Sequence, residues 1–108
     1  MQAIDTEWSK TEQEVAKEAF DKAYEREITA LMALVQEKAV AIAQLDDMWN
    51  LHDFLSAKRH DIDGKYDYRY SFLIFVFARL VKEEWLHITE LEGLAQEKLA
   101  KIAALSRM

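Results

Sequence analysis

The stretch SKTEQEVAKEAFDKAYEREITALMALVQEKAVAIAQLDDMW, Ser9 to Trp49, contains neither glycine nor proline, and its apolar residues recur with a helical period. Val15, Ala16, Ala19, Phe20, Ala23 and Tyr24, then Ile28, Leu31, Val35, Ala39, Ile42, Leu45 and Trp49, follow mainly at steps of three and four. That spacing lays one apolar stripe along a helix. Ser9 with Glu12 has the form of a capping box, the serine oxygen taking the third helical amide while the carboxylate reaches back to the serine amide. A helix is expected to start there. No breaker intervenes before Gly64, and Lys58, Arg59 and His60 followed by DIDG suit a last turn and its exit, so the helix is expected to end near His60.

Unbroken, such a helix of about 50 residues would be about 75 Å long at 1.5 Å per residue. A chain of 108 residues cannot cover that rod by itself. Either the rod folds back into antiparallel segments, with Gln36–Lys38 or the Asp46–Asp47 pair as candidate turns, or it is a stalk covered by a second chain; a stalk with a bend is favoured. Past Gly64, YSFLIFVFARLV fits a buried strand or a helix buried all round, and its helical neighbours favour the helix. Thr89 with Glu92 forms a second possible capping box, leading into a last helix expected from about Glu90 to Ser106 with Gly93 tolerated in its first turns. The expected fold is all-α and a single domain: a long helical stalk over 9–62 that carries a dimer interface, and a small C-terminal helical head over 65–108.

Composition narrows the function. The chain has no cysteine, which excludes disulfides and thiolate chemistry, and its formal net charge of −6 opposes nonspecific binding to nucleic acid or anionic lipid. No N-terminal segment reads as a signal peptide, and the longest apolar run, Phe72–Val81, has about half the roughly 20 residues a membrane span needs. A soluble protein without membrane insertion is expected.

The segment MWNLHDFLSAKRHDIDGKYD, Met48–Asp67, gathers the residues that most resemble a chemical site. On one helix His52 and His60 lie about 12 Å apart along the axis, too far to share a metal whose ligands sit about 2 Å away. His87 lies between Glu83 and Glu90, an arrangement that suits helix-face pairing. A calcium loop centred on Gly64 would place Arg59 at its first ligand position and Tyr70 at its twelfth, which defeats it. Ser56, His52 and Asp53 share a helix face, where no cleft or oxyanion site is offered. No catalytic residue, metal or cofactor is expected, and the protein is read as not an enzyme.

Two stripes remain. Met48, Leu51, Leu55 and Ile62 read as core, while Leu45, Trp49, His52, Ser56 and Arg59 form an aromatic and polar stripe about 100° away. Trp and Arg are enriched at interface hot spots, and Asp53 lies one turn from Trp49. A two-fold dimer in which Arg59 of one chain meets Asp53 of the other is the simplest use of that face. In the head, Phe75 and Phe77 point about 160° apart on a helix, so one of them faces outward to a partner or a second subunit. Lys98, Lys101 and Arg107 give the last helix a basic side that suits its C-terminal end.

The segment LDDMWNLHDFLSAKRHDIDGKYD followed by IFVFA, with the upstream Trp8-Ser9 and FDKAYERE at Phe20–Glu27, resembles the cyanobacterial fluorescence recovery protein family. The resemblance covers nearly the whole chain; Met48 in place of a leucine, the aromatic YDYRY and a freer C-terminal end are its departures. It implies an all-helical dimer that binds the orange carotenoid protein, mainly through that protein's C-terminal domain. Such a regulator hastens return of the red, active form to the orange form and its release from phycobilisomes, so that antenna fluorescence recovers. Carried over by motif, Met48, Trp49, His52, Asp53 and Arg59 belong to the dimer interface, which Leu45 joins by its place on the same stripe, and Trp49, Asp53, Arg59, Phe75 and Lys101 to partner binding. The implied location is cytoplasmic, peripheral at most to the cytoplasmic side of the thylakoid membrane through phycobilisomes. Without the resemblance, the residues read as a structural coiled-coil adaptor dimer for an unidentified partner.

Overall fold

A computed structural model describes residues 7–108. Four α-helices follow in order: α1 Lys10–Val40, α2 Leu45–Lys65, α3 Leu73–Lys82 and α4 Gln96–Ser106, with a 3-10 turn at Ile88–Leu91 before α4. Apart from an isolated bridge between Glu92 and Leu94, the described residues contain no β-structure. The fold is all-α, as the periodicity requires.

Helix α1 starts at the expected capping box: Ser9 Oγ accepts the Glu12 amide at 3.1 Å, and Glu12 Oε1 accepts the Ser9 amide at 3.0 Å. The rod breaks at 41–44, between the two candidate turns, and there it folds back. Asp47 Oδ2 accepts the amides of Ala43 and Gln44 at 3.0 and 3.1 Å, which closes the turn and starts α2. The two helices run antiparallel, since Lys38 lies over the Phe54 ring near the turn while Lys65 meets Glu27 toward the far end. Of the two forms expected for the stalk, bent or two antiparallel segments, the antiparallel one is found. Helix α2 also passes through Gly64 and ends five residues beyond His60, at Lys65. Gly64 lies within the last turn of α2, so this glycine is no turn.

The hydrophobic core sits at one end. Ala16, Ala19, Phe20 and Ala23 of α1 pack with Leu73, Ile74, Phe77 and Leu80 of α3, with Leu86, Leu91 and Leu94 of the connector, and with Ile102 of α4. The ambiguous apolar run is therefore helical, and α3 buries most of its circumference. The last helix begins later than expected. Thr89 and Glu92 do not cap it; His87 and Glu90 instead cap the 3-10 turn before it, the Glu90 carboxylate accepting the His87 amide at 2.9 Å, and α4 follows Ala95 without a side-chain cap. Gly93 lies outside the helix at φ +114°, where a Cβ would approach Val15 Cγ2 to 2.7 Å, so the connector passes against α1 only because it carries no side chain there.

Charged groups enter this core in matched sets. The Lys98 side chain is 1% exposed; its ammonium meets Glu12 Oε1 at 2.9 Å, donates to the Glu7 carbonyl and lies 4.4 Å from the Trp8 ring centroid. Glu12 Oε2 also accepts the Ala95 amide at 2.7 Å, so one carboxylate caps α1 and ties it to the start of α4. Burial pushes the Glu12 carboxyl up, but the Ser9 and Ala95 amides and Lys98 together outweigh it and hold it below the usual range. Removing either partner has unequal effects. Glu12→Ala strands a buried ammonium and should destabilise by about 3 kcal/mol or more, whereas Lys98→Met leaves Glu12 its two amide donors and should destabilise less, as measured by urea unfolding.

Arg26 clamps Glu90 through two hydrogen bonds of 2.9 and 2.7 Å and also donates to the Trp85 carbonyl at 3.1 Å. The guanidinium first, then the His87 amide, bring the Glu90 carboxyl from 4.5 down to about 2. A carboxyl that titrates lower in the fold than in the open chain stabilises the fold fully above its open-chain value and loses that effect as it is protonated. Thermal melts should therefore fall as pH drops from 4.5 toward about 2, and Glu90→Gln should lessen the fall.

Candidate interaction surface

From Ile28 to Asp61 no residue is buried. The hairpin beyond the head thus carries an apolar stripe that its own chain leaves uncovered. Met32 is 56% exposed, Leu45 61%, Met48 45% and Trp49 53%. The expectation that Met48, Leu51, Leu55 and Ile62 form core holds at Ile62; Met48 and Leu55 are exposed and Leu51 is half-buried. Two antiparallel helices can bury only the strip between them, and here that strip is narrow. Monomeric proteins rarely leave apolar area of this extent in water.

The residues singled out on α2 lie on this surface. Trp49 packs edge-on against His52 with ring centroids 6.3 Å apart. His52 Nδ1 lies 3.3 Å from Asp53 Oδ1, and Arg59 Nε lies 3.7 Å from Asp63. These side chains are 70–87% exposed, so their local pairing is weak and leaves them open to stronger partners. His52, Leu55, Ser56, Arg59, His60 and Asp63 line an open groove of about 520 Å³. No cluster of three or more metal-ligating side chains occurs among the described residues. At 1.5 Å per residue, Arg59 lies about 9 Å and Trp49 about 24 Å from the base of α2 at Lys65.

Phe75 and Lys101 belong to the other end. Phe75 on α3 is 57% exposed while Phe77 is fully buried, the divergence their spacing requires. Phe72, one turn before Phe75, is also exposed and lies under the Arg69 guanidinium at 4.3 Å. Lys101 is half-buried on α4. Structure therefore divides the sequence-selected residues into a stalk group on α2 and a head group on α3 and α4.

Sequence reasoning missed the charged junction between these groups. Lys65 Nζ, on a side chain 1% exposed, meets Glu27 at 2.7 Å and Glu83 at 2.8 Å. Tyr66 donates its hydroxyl to Glu27 at 2.7 Å, and burial, reinforced by that carboxylate, pushes the phenol far above its ordinary value. Arg79 then bridges Glu83 and Asp61, each at 2.8 Å. The signal was present in α1: Glu12 and Glu27 continue the spacing of Ala16, Ala19 and Ala23, and a carboxylate on a buried stripe requires a partner.

A family model described as "Photoprotection regulator fluorescence recovery protein" matches residues 8–106. The chain belongs to the fluorescence recovery protein family. It is 53% identical over 108 residues to the fluorescence recovery protein of Synechocystis sp. PCC 6803, covering 100% of this chain and 99% of that one. Among solved structures, the fluorescence recovery protein of Fremyella diplosiphon is 65% identical with a TM-score of 0.92, covering 94% of this chain and 100% of that one. The Synechocystis structure is 55% identical with a TM-score of 0.91 at the same coverage. Family membership makes the protein a photoprotection regulator, and no helix among the described residues is long and apolar enough to cross a membrane. Members of this family share the hairpin and head described here.

Because Met48 contributes nothing to the head's core, Met48→Glu should leave the unfolding of dilute protein within about 0.5 kcal/mol of the parent. Any larger loss that grows with protein concentration in thermal melts would report an intermolecular contact.

Proposed function

We propose that this regulator is a non-enzymatic two-fold dimer that binds the photoactivated, red form of the orange carotenoid protein. It hastens return of that protein to the orange form and its release from phycobilisomes, restoring antenna fluorescence. The uncovered stretch from Ile28 to Asp61 carries the reading: an apolar hairpin on a folded head fits a second chain better than it fits water. In the dimer, Leu45, Met48, Trp49 and His52 supply the seam, with Asp53 and Arg59 exchanging partners across it. Phe75 and Lys101 hold the carotenoid protein, chiefly its C-terminal domain, while Trp49, Asp53 and Arg59 contribute from the stalk. The site of action is cytoplasmic, at the phycobilisome.

Such a task needs no nucleophile. A binder speeds another protein's relaxation when it holds the transition-like conformation more tightly than the active one, and each 1.36 kcal/mol of that difference is about tenfold in rate.

An absorbance time course of red-to-orange reversion should show acceleration by this protein, and Trp49→Leu, Arg59→Leu or Phe75→Ala should each reduce it about tenfold, the loss of one interface hot spot. Sedimentation should find Met48→Glu monomeric, since a carboxylate in an apolar seam is costly. No acceleration by the parent, together with equal capture of dark and illuminated carotenoid protein, would leave an adaptor dimer as the better description.

A further inference from the structure

Helix α2 contributes no side chain to the hydrophobic cluster of the head, and it has little backbone contact with α3. What crosses between them is charge. Arg79 donates through Nη2 to Asp61 of α2 and through Nε to Glu83 on its own helix, while Glu83 in turn accepts from Lys65 of α2. Lys65 continues the chain to Glu27 on α1, where burial is nearly complete. The string Asp61–Arg79–Glu83–Lys65–Glu27 therefore joins three helices, ending exposed on one side and buried on the other.

An apolar contact permits sliding, because burial depends on area and hardly on direction. A guanidinium held through Nε and Nη2 by two different carboxylates does not, since both donors must stay near their acceptors in one plane. Arg79 also lies one turn beyond Phe75 on the outward side of α3, so it stands between the exposed head face and the uncovered stalk.

We propose that Asp61 and Arg79 are positioning residues that fix the angle of the stalk hairpin against the head, and so set the geometry in which stalk and head engage a partner together. Lys65 and Glu83 form the buried pivot; the Asp61–Arg79 pair, 39% and 44% exposed, is the adjustable arm. Partner contacts that draw on either side chain would pass from head to stalk through this arm. The activity consequence rests on the regulatory reading above, whereas the angular one does not.

The chain has no cysteine, so nitroxide labels at Asn50→Cys on α2 and Ala104→Cys on α4 report one distance per copy when diluted with unlabelled protein. With Asp61 present the distance distribution should be narrow; Asp61→Asn should widen it about twofold or more while the circular-dichroism melt and the dimer dissociation constant stay within about twofold. The same variant should lower the acceleration of red-to-orange reversion about fivefold, and Asp21→Asn, which removes an exposed pair within α1, should change neither. A distribution as narrow in Asp61→Asn as in the parent would overturn the positioning role, as would a widened distribution with undiminished acceleration. If the parent itself gives no acceleration, the regulatory reading fails, and the distance measurement still decides the angular one.

Discussion

Helix α1 carries its apolar spacing for 31 residues, but the head is deep enough to cover only the first part of it. Everything else in the architecture responds to that mismatch. Up to Glu27 the stripe is buried by α3, the connector and α4; beyond it the same spacing continues into water, with α2 laid alongside as incomplete cover. The chain is consequently elongated, 53 × 24 × 24 Å, although its head is densely packed. A helical hairpin does not close its own core, because each helix presents a wide apolar arc and two helices cover only the strip where they meet.

The transition from covered to uncovered stripe is where the charges gather. Glu27 occupies the next position on the buried face after Ala23, and burying it is tolerable only with Lys65 and the Tyr66 hydroxyl in place. An aromatic run prepares that spot. Phe20 packs edge-on against Tyr66 and Tyr68 at 5.4 and 4.8 Å, and Tyr24 against Tyr66 at 5.0 Å, so the extended segment after α2 is laid along α1 by rings. A second set, Glu12 with Lys98, holds the other end of the buried stripe. The head is thus bounded at both ends by ionic groups whose partners lie far away in sequence, which fixes α1 axially in a way that alanine-rich packing would not.

Much of this was legible in the sequence, and the rest failed for identifiable reasons. Ser9 and Glu12 announced the start of α1 because a capping box is local, and YSFLIFVFARLV was resolved by its neighbours. The break at 41–44 falls just before the Asp46–Asp47 candidate, because Ala41-Ile42-Ala43 are ordinary helix residues and the turn is specified by the Asp47 carboxylate behind it, accepting two amides. Gly64 misled in the opposite direction, since a last helical turn anchored by Lys65 outweighs one flexible residue. The second expected capping box does not start the last helix: His87 and Glu90 cap only the 3-10 turn, Gly93 at φ +114° passes Val15 outside any helix, and α4 begins at Gln96 without a side-chain cap. Period alone put Leu45, Trp49 and Arg59 on an exposed face but also put Met48 and Leu55 in the core, where they are not, and the relay through Arg79 depends on tertiary proximity that no local pattern encodes.

The division of labour between the two ends follows from how each is stabilised. Head residues are held by burial and by charge pairs in a low-dielectric setting, so Phe75 projects from a rigid platform and loses little freedom on contact. Stalk residues such as Trp49 and Arg59 are exposed on a helix that buries only Ile62 and Lys65, both near its base. Helix α2 meets α3 through the Asp61–Arg79 and Lys65–Glu83 pairs and adds no side chain to the head's core cluster, so directed bonds more than packing join the two ends there.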